Sequence, residues 1–144
     1  MSRLTAPHGV ARITTALASV LAVPASAAVF AVPASAAAHP EATTFTGSNC
    51  PANSLCMYRD FNYRGGGVAL TRGKGARDFR HPDLNFNDQM SSWSNDSGVL
   101  CYWYEHDDYR SEPGQDHPMK NGYRVNLTSS ENDTASSARC FNNN

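Results

Sequence analysis

Two different sequence motifs recur in this chain in the same order and at almost the same spacing. That recurrence restricts the fold more than any other feature. Tyr58-Arg59-Asp60-Phe61-Asn62-Tyr63-Arg64-Gly65 reads as an aromatic, four residues, an aromatic, one residue and a glycine. At an offset of 46, Tyr104-Glu105-His106-Asp107-Asp108-Tyr109-Arg110-Ser111 repeats it, with Ser111 in the glycine position. Asn87-Asp88-Gln89-Met90-Ser91-Ser92 returns at an offset of 45 as Asn132-Asp133-Thr134-Ala135-Ser136-Ser137. The chain is therefore a tandem pair of units, one supersecondary arrangement used twice.

The local pattern of each unit is β. No long stretch has helical period, and Ser54 to Tyr58, Gly67 to Leu70, Val99 to Tyr104 and Tyr123 to Leu127 are rich in strand formers. Gly65-Gly66-Gly67, Gly73-Lys74-Gly75, Asn95 to Gly98 and Asn121-Gly122 supply turns between them. Many short strands at this spacing predict a sandwich or barrel. Trp93 and Trp103, in or beside such strands, are expected in the core or half-buried. Glu41 to Asn49 reads as a polar lead-in.

Ahead of the repeat, Arg3 and Arg12 precede an apolar run from Ile13 to Phe30 and small-residue stretches at 24–27 and 33–38. Charge, apolar run and A-x-A sites in that order predict a secretory signal peptide over residues 1–38. Pro24 inside the run argues against a membrane anchor. The lead-in then covers 39–49 and the folded domain 50–144, with one unit over about 50–95 and the next over about 98–141. Loss of the leader leaves a net charge of about −3, too small and too mixed to imply nucleic acid or an anionic membrane as partner.

The four cysteines, Cys50, Cys56, Cys101 and Cys140, all follow the leader. An even count in a short exported chain indicates disulfides, and no Cys-x-x-Cys pair supports zinc. Three pairings are open; Cys50–Cys56 with Cys101–Cys140 is the favoured one. With every thiol oxidised, and with neither a nucleophile elbow nor an HExxH pattern, no catalytic residue is assigned and an enzyme is not expected. His81, His106 and His117 read as loop residues. The N-x-S/T triplets at Asn95, Asn126 and Asn132 are set aside, since glycosylation depends on the host and Asn132 belongs to the repeated motif.

The two motifs together resemble the βγ-crystallin superfamily, whose Greek-key unit carries an aromatic hairpin, Y/F/W-x4-Y/F/W-x-G. Its calcium-binding members add N/D-N/D-x-x-S/T-S. The resemblance spans about residues 50 to 140. It implies an all-β fold, two tandem Greek-key motifs forming one disulfide-stapled sandwich. It also implies two calcium sites, drawn from Asn87, Asp88 and Ser91 in one loop and Asn132, Asp133 and Ser136 in the other. Backbone carbonyls near Phe61 and Asp107 would complete them. Calcium is a hard cation that takes such oxygens, and with about one carboxylate per site its affinity falls on the order of 10⁻⁵ to 10⁻³ M. Ser111 departs from the hairpin pattern, and Ser111-Glu112-Pro113-Gly114 is a poor strand because proline cannot donate to a ladder.

Within that superfamily the chain is similar to small secreted bacterial proteins grouped with metalloproteinase inhibitors. The Ala-rich leader, Cys50-Pro51-x4-Cys56, Ser91-Ser92-Trp93 and the near-terminal Cys140 carry this likeness. It implies a secreted, monomeric inhibitor with an extracellular protease as partner. Ser111 to Gly122, the longest irregular stretch, is the candidate inhibitory loop, with Pro113, Gln115, His117 and Met119 within it. The competing readings are a calcium-stabilised binding or stress module and a secreted killer-type toxin.

Overall fold

The structure, a computed structural model, describes residues 41–143. The expected signal peptide, residues 1–38, lies outside them. Among the described residues no helix is long and apolar enough to cross a membrane. The strands are β1 (Thr43–Phe45), β2 (Ser54–Asp60), β3 (Arg64–Thr71), β4 (Gly75–Ala76) and β5 (Ser92–Asn95). They continue as β6 (Cys101–Tyr104), β7 (His117–Met119), β8 (Arg124–Asn126) and β9 (Ser137–Cys140). A tight turn over Asp107–Tyr109 has left-handed backbone at Asp108 and is not a helix.

β2 shows how sequence becomes strand here. Its side chains alternate between faces, so Leu55 and Met57 point one way and Cys56 and Tyr58 the other. Leu55 and Met57 stand opposite Leu70 and Val68 of β3 and join the main core. Cys56 and Tyr58 form a smaller cluster with Ala69 on the outer face, covered by Phe45, Cys50 and Tyr63. Both faces being covered, Ser54 to Tyr58 are all buried. This explains the run of apolar residues where a half-exposed strand would alternate. The cover also revises the lead-in: Thr43–Phe45 is an edge strand antiparallel to β3, and Phe45 meets the Tyr58 ring edge-on at 5.2 Å.

The strands form two antiparallel sheets, ordered β1-β3-β2-β5-β8 and β4-β9-β6-β7. The first unit supplies β2, β3 and β5 to the larger sheet but sends β4 to the smaller one. The second supplies β6, β7 and β9 to the smaller sheet and returns β8 to the larger. Two interleaved Greek keys result, the all-β sandwich expected. Between the sheets lie Leu55, Met57, Phe79, Phe86, Trp93, Trp103 and Met119. Phe79 and Phe86 come from the long connection between β4 and β5 and pack edge to face at 5.3 Å. Where the units join, buried Asn95 donates to the carbonyls of Val99 at 2.9 Å and Met119 at 2.6 Å. Its own oxygen accepts from the Ser97 amide and hydroxyl.

Both disulfides are cross-links within this frame. Cys50–Cys56 ties the segment just ahead of β2 to β2 itself, and Cys101–Cys140 joins residues directly opposite on β6 and β9. Their sequence separations are 6 and 39. Loop entropy therefore makes the second the stronger constraint, about 4 kcal/mol against about 2 kcal/mol. Replacing Cys101 and Cys140 by Ala should lower unfolding free energy in urea by roughly twice as much as replacing Cys50 and Cys56.

Candidate functional site

The repeated motifs meet in space, and they meet twice in the same way. The Ser91 amide donates to the Tyr58 carbonyl and the Ser136 amide to the Tyr104 carbonyl, both at 2.9 Å. The following serines pin the hairpins. The Ser92 hydroxyl donates to the Asp60 carbonyl at 2.7 Å and accepts from the Tyr63 amide at 3.1 Å. Ser137 does the same with the His106 carbonyl at 2.6 Å and the Tyr109 amide at 3.2 Å. Those pins hold left-handed backbone at Asn62 and Tyr63 (φ 58° and 61°) and at Asp108 and Tyr109 (φ 55° and 60°). Sequence reasoning placed Ser91 and Ser136 in the site; it missed that Ser92 and Ser137 fold the hairpins. The aromatic pairs pack as hairpin supports, Tyr58 with Tyr63 at 5.9 Å and Tyr104 with Tyr109 at 5.8 Å.

The two Asn-Asp loops are also tied to each other. The Asp88 amide donates to the Ala135 carbonyl at 3.0 Å and the Asp133 amide to the Met90 carbonyl at 3.1 Å. Asp88 thus lies beside the serines of the other loop, and Asp133 beside Ser91. Both aspartates have left-handed φ, 52° and 59°, which Asp and Asn tolerate better than other side chains. The Asn87 amide nitrogen donates to Asp88 and that of Asn132 to Asp133, each at 2.6 Å. The other amide atoms, Asn87 Oδ1 and Asn132 Oδ1, are buried with no hydrogen-bond partner. A buried acceptor left unpaired is costly, and its recurrence at both equivalent positions suits a cation ligand. The Ser91 hydroxyl donates to the Arg59 carbonyl at 2.7 Å, which leaves its lone pairs free to accept.

Chemically the two hairpin ends differ. At the second, Asp107 draws in guanidinium groups: Arg110 binds its carboxylate at 2.5 Å and Arg80 at 2.9 Å. Arg110 Nε also donates to the Asp107 carbonyl at 3.2 Å. The Arg110 hydrogen bond holds the Asp107 carboxyl below its ordinary value against a partial desolvation cost, and Arg80 adds to it. Arg80, His106, Asp107, Arg110 and Ser136 line one depression. The Asp107 carbonyl expected to meet a metal here also accepts from Arg110. At the first hairpin Phe61 occupies the equivalent position and has no carboxylate to recruit one. Among the described residues no three or more His, Cys, Asp or Glu are grouped to hold a metal ion. Near the first hairpin the Asp133–Met90 backbone bond brings Asn132 and Asp133 beside Ser91, which together offer amide, carboxylate and hydroxyl oxygens.

The glycine substitution is visible in the backbone. Gly65 has φ 79°, and a side chain there would strike the Asp60 carboxylate at 2.5 Å. Ser111 does not take a left-handed φ, so the chain leaves the second hairpin by another path. The return strand starts only at His117, whereas in the first unit it starts at Arg64.

The reading of Ser111 to Gly122 as irregular throughout is corrected here. Pro113 and Gln115 are exposed, but His117 and Met119 belong to β7 and Met119 is fully buried opposite Cys101. Pro118 is tolerated because β7 is the sheet edge. His117, also read as a loop residue, stacks on Trp103 at 3.7 Å and lies between Glu105 at 3.4 Å and Glu131 at 3.7 Å. No local sequence signal foretells this cluster, because its members come from three separate elements.

Comparison with known proteins adds a family and a fold. The family model described as peptidase inhibitor family I36 matches residues 43–115, about half of the chain. That span runs from β1 through the first Asn-Asp loop and the second hairpin, and stops before β7. A solved structure from work on the evolution of the eye lens βγ-crystallin domain fold aligns with a TM-score of 0.54 and 21% identity. The alignment covers 67% of this chain and 93% of that one. No curated protein matches the chain.

Glu131 precedes the second Asn-Asp loop and accepts from the Thr128 amide at 3.1 Å and hydroxyl at 2.7 Å. Burial raises its carboxyl, but these donors together with His117 outweigh burial and hold it below its ordinary 4.5. A depressed carboxylate contributes stability above the unfolded-state value and loses it as pH falls through the folded one. The melting temperature should therefore drop on acidification below about pH 4.5, and Glu131→Gln should flatten that drop in a pH series of thermal melts.

Proposed function

The chain belongs to peptidase inhibitor family I36, and from that membership we propose that it is a secreted inhibitor of an extracellular metalloprotease, stiffened by calcium. The family match over residues 43–115 carries the reading. Two disulfides suit an oxidising, extracellular compartment. A body held by two cross-links gives up little conformational entropy when it docks, which is how preorganisation raises affinity.

Calcium takes the position at the first hairpin, held by Asp133, Asn132, Ser91 and the Phe61 carbonyl. The carboxylate neutralises part of the ion's charge and the neutral oxygens complete its shell. The equivalent position, with Asp88, Asn87, Ser136 and the Asp107 carbonyl, does not fit as well. There Arg110 already lies on the carbonyl and Arg80 beside it. Bound calcium therefore acts as a structural staple at one end, where a guanidinium pair serves at the other.

Titrating the disulfide-intact chain, freed of residues 1–38, into a thermolysin-type metalloprotease at fixed calcium should abolish peptidase activity at a stoichiometric ratio. Full activity at excess would sink the inhibitor reading. In calorimetric titration the same protein should take up one calcium rather than two. Calcium at a hundredfold excess over its dissociation constant should stabilise it by about 2.7 kcal/mol. Asp133→Asn should remove most of that shift and Asp88→Asn little of it; the reverse order would reject the assignment of the position.

A further inference from the structure

The duplicated frame ends in an apolar side chain at one hairpin and in a carboxylate at the other. We propose that Phe61 is the anchor this protein inserts into the primary specificity pocket of its target, an endopeptidase that selects large apolar side chains. The proposal rests on the inhibitor reading and names the residue and the kind of pocket it fits.

Exposure is the first ground. Among the described residues the exposed large hydrophobic side chains are Phe61, at 46%, and Tyr123, at 58%. Phe61 is at the apex of the tight hairpin between β2 and β3, whereas Tyr123 lies in the turn leading into β8. Interfaces depend on a few such anchors, aromatic above all, that fill a pocket in the partner.

Rigidity is the second. The apex is held on both sides of Phe61. Ser92 grips the Asp60 carbonyl and the Tyr63 amide. The Asn62 amide donates to Asn126 Oδ1 at 2.7 Å, and the Asn126 amide group returns a bond to Asn62 Oδ1 at 3.3 Å. Tyr63 packs on Tyr58, and the Arg124 guanidinium lies over the Tyr63 ring at 5.9 Å. Every one of these partners belongs to a strand of the larger sheet, so docking orders almost nothing that is not already ordered.

Backbone shape is the third. Peptidases cleave chains held extended, and Asn62 and Tyr63 are both left-handed. The apex therefore presents a side chain to the pocket without presenting an extended scissile strand. It blocks the cleft as a plug. The second hairpin offers no equivalent, since Asp107 stands in the place of Phe61 and is engaged by Arg80 and Arg110.

The test compares wild type, Phe61→Ala, Phe61→Leu and Tyr123→Ala in inhibition titrations of thermolysin, whose pocket takes large apolar side chains, and of trypsin, whose pocket takes cations. Phe61→Ala should weaken inhibition of thermolysin about 30-fold or more, the effect of losing one dominant anchor. Phe61→Leu should retain most of it, and Tyr123→Ala should leave it unchanged. Thermal melts should match wild type in every variant, because the Phe61 ring is no part of the buried core. A Phe61→Ala protein that melts normally and inhibits within about threefold of wild type would overturn the anchor while leaving the inhibitor reading intact. Stronger inhibition of trypsin than of thermolysin would also overturn it. Wild type that inhibits neither enzyme would defeat the inhibitor reading itself.

Discussion

The fold depends on an exchange: each half of the chain completes the other half's sheet. β4 leaves the first unit to pair with β9, and β8 leaves the second to pair with β5. Neither unit can cover its own apolar face, so the core forms only when both are in place. The exchange is reinforced by reciprocal backbone bonds. Phe79 donates to Ser136 at 2.8 Å and Leu127 donates to Ser91 at 3.0 Å, each reaching the loop of the opposite unit. The Asn-Asp loops sit at this crossing, which is why their geometry is so nearly twofold.

The repeat was the most legible part of the sequence because it is a statement about shape. Left-handed turns, a serine that caps a carbonyl and an aromatic that supports a hairpin each leave a residue type at a fixed spacing. The strands at Ser54, Gly67, Cys101 and Arg124 were readable for the same reason. The edge strand at Thr43 was not, because three residues of mixed polarity carry no periodic signal. It exists to cover Tyr58, and that need is visible only once the outer face of β2 is known. Met119 likewise looked like a loop residue beside Pro118 and Lys120. Its burial follows from its partner Cys101, a contact across 18 positions.

The candidate site divided along the same line. That the two Asn-Asp loops are equivalent could be read from the motif. Which charges come to stand beside them could not, since Arg80 reaches Asp107 across 27 positions. Duplication gave both hairpin ends the same backbone, and single side chains then separated their chemistry. An aspartate at one apex gathers arginines into a closed ionic cluster. A phenylalanine at the other has no charge to gather them and leaves its ring partly exposed. One scaffold thereby presents a charged, self-satisfied end and an apolar, unsatisfied one, and the second has more to gain from contact.

The sheet margins carry a separate consequence. β1, β7 and β8 are three residues long and β4 is two, and one of these margins contains Pro118, which lacks an amide hydrogen. Long unpaired strands act as templates on which other chains stack into fibrils. Among the described residues the longest strands, β2 and β3, are interior to their sheet, and each margin is too brief or too interrupted to nucleate such growth. A protein rich in β-structure thus offers a second copy of itself little edge on which to pair.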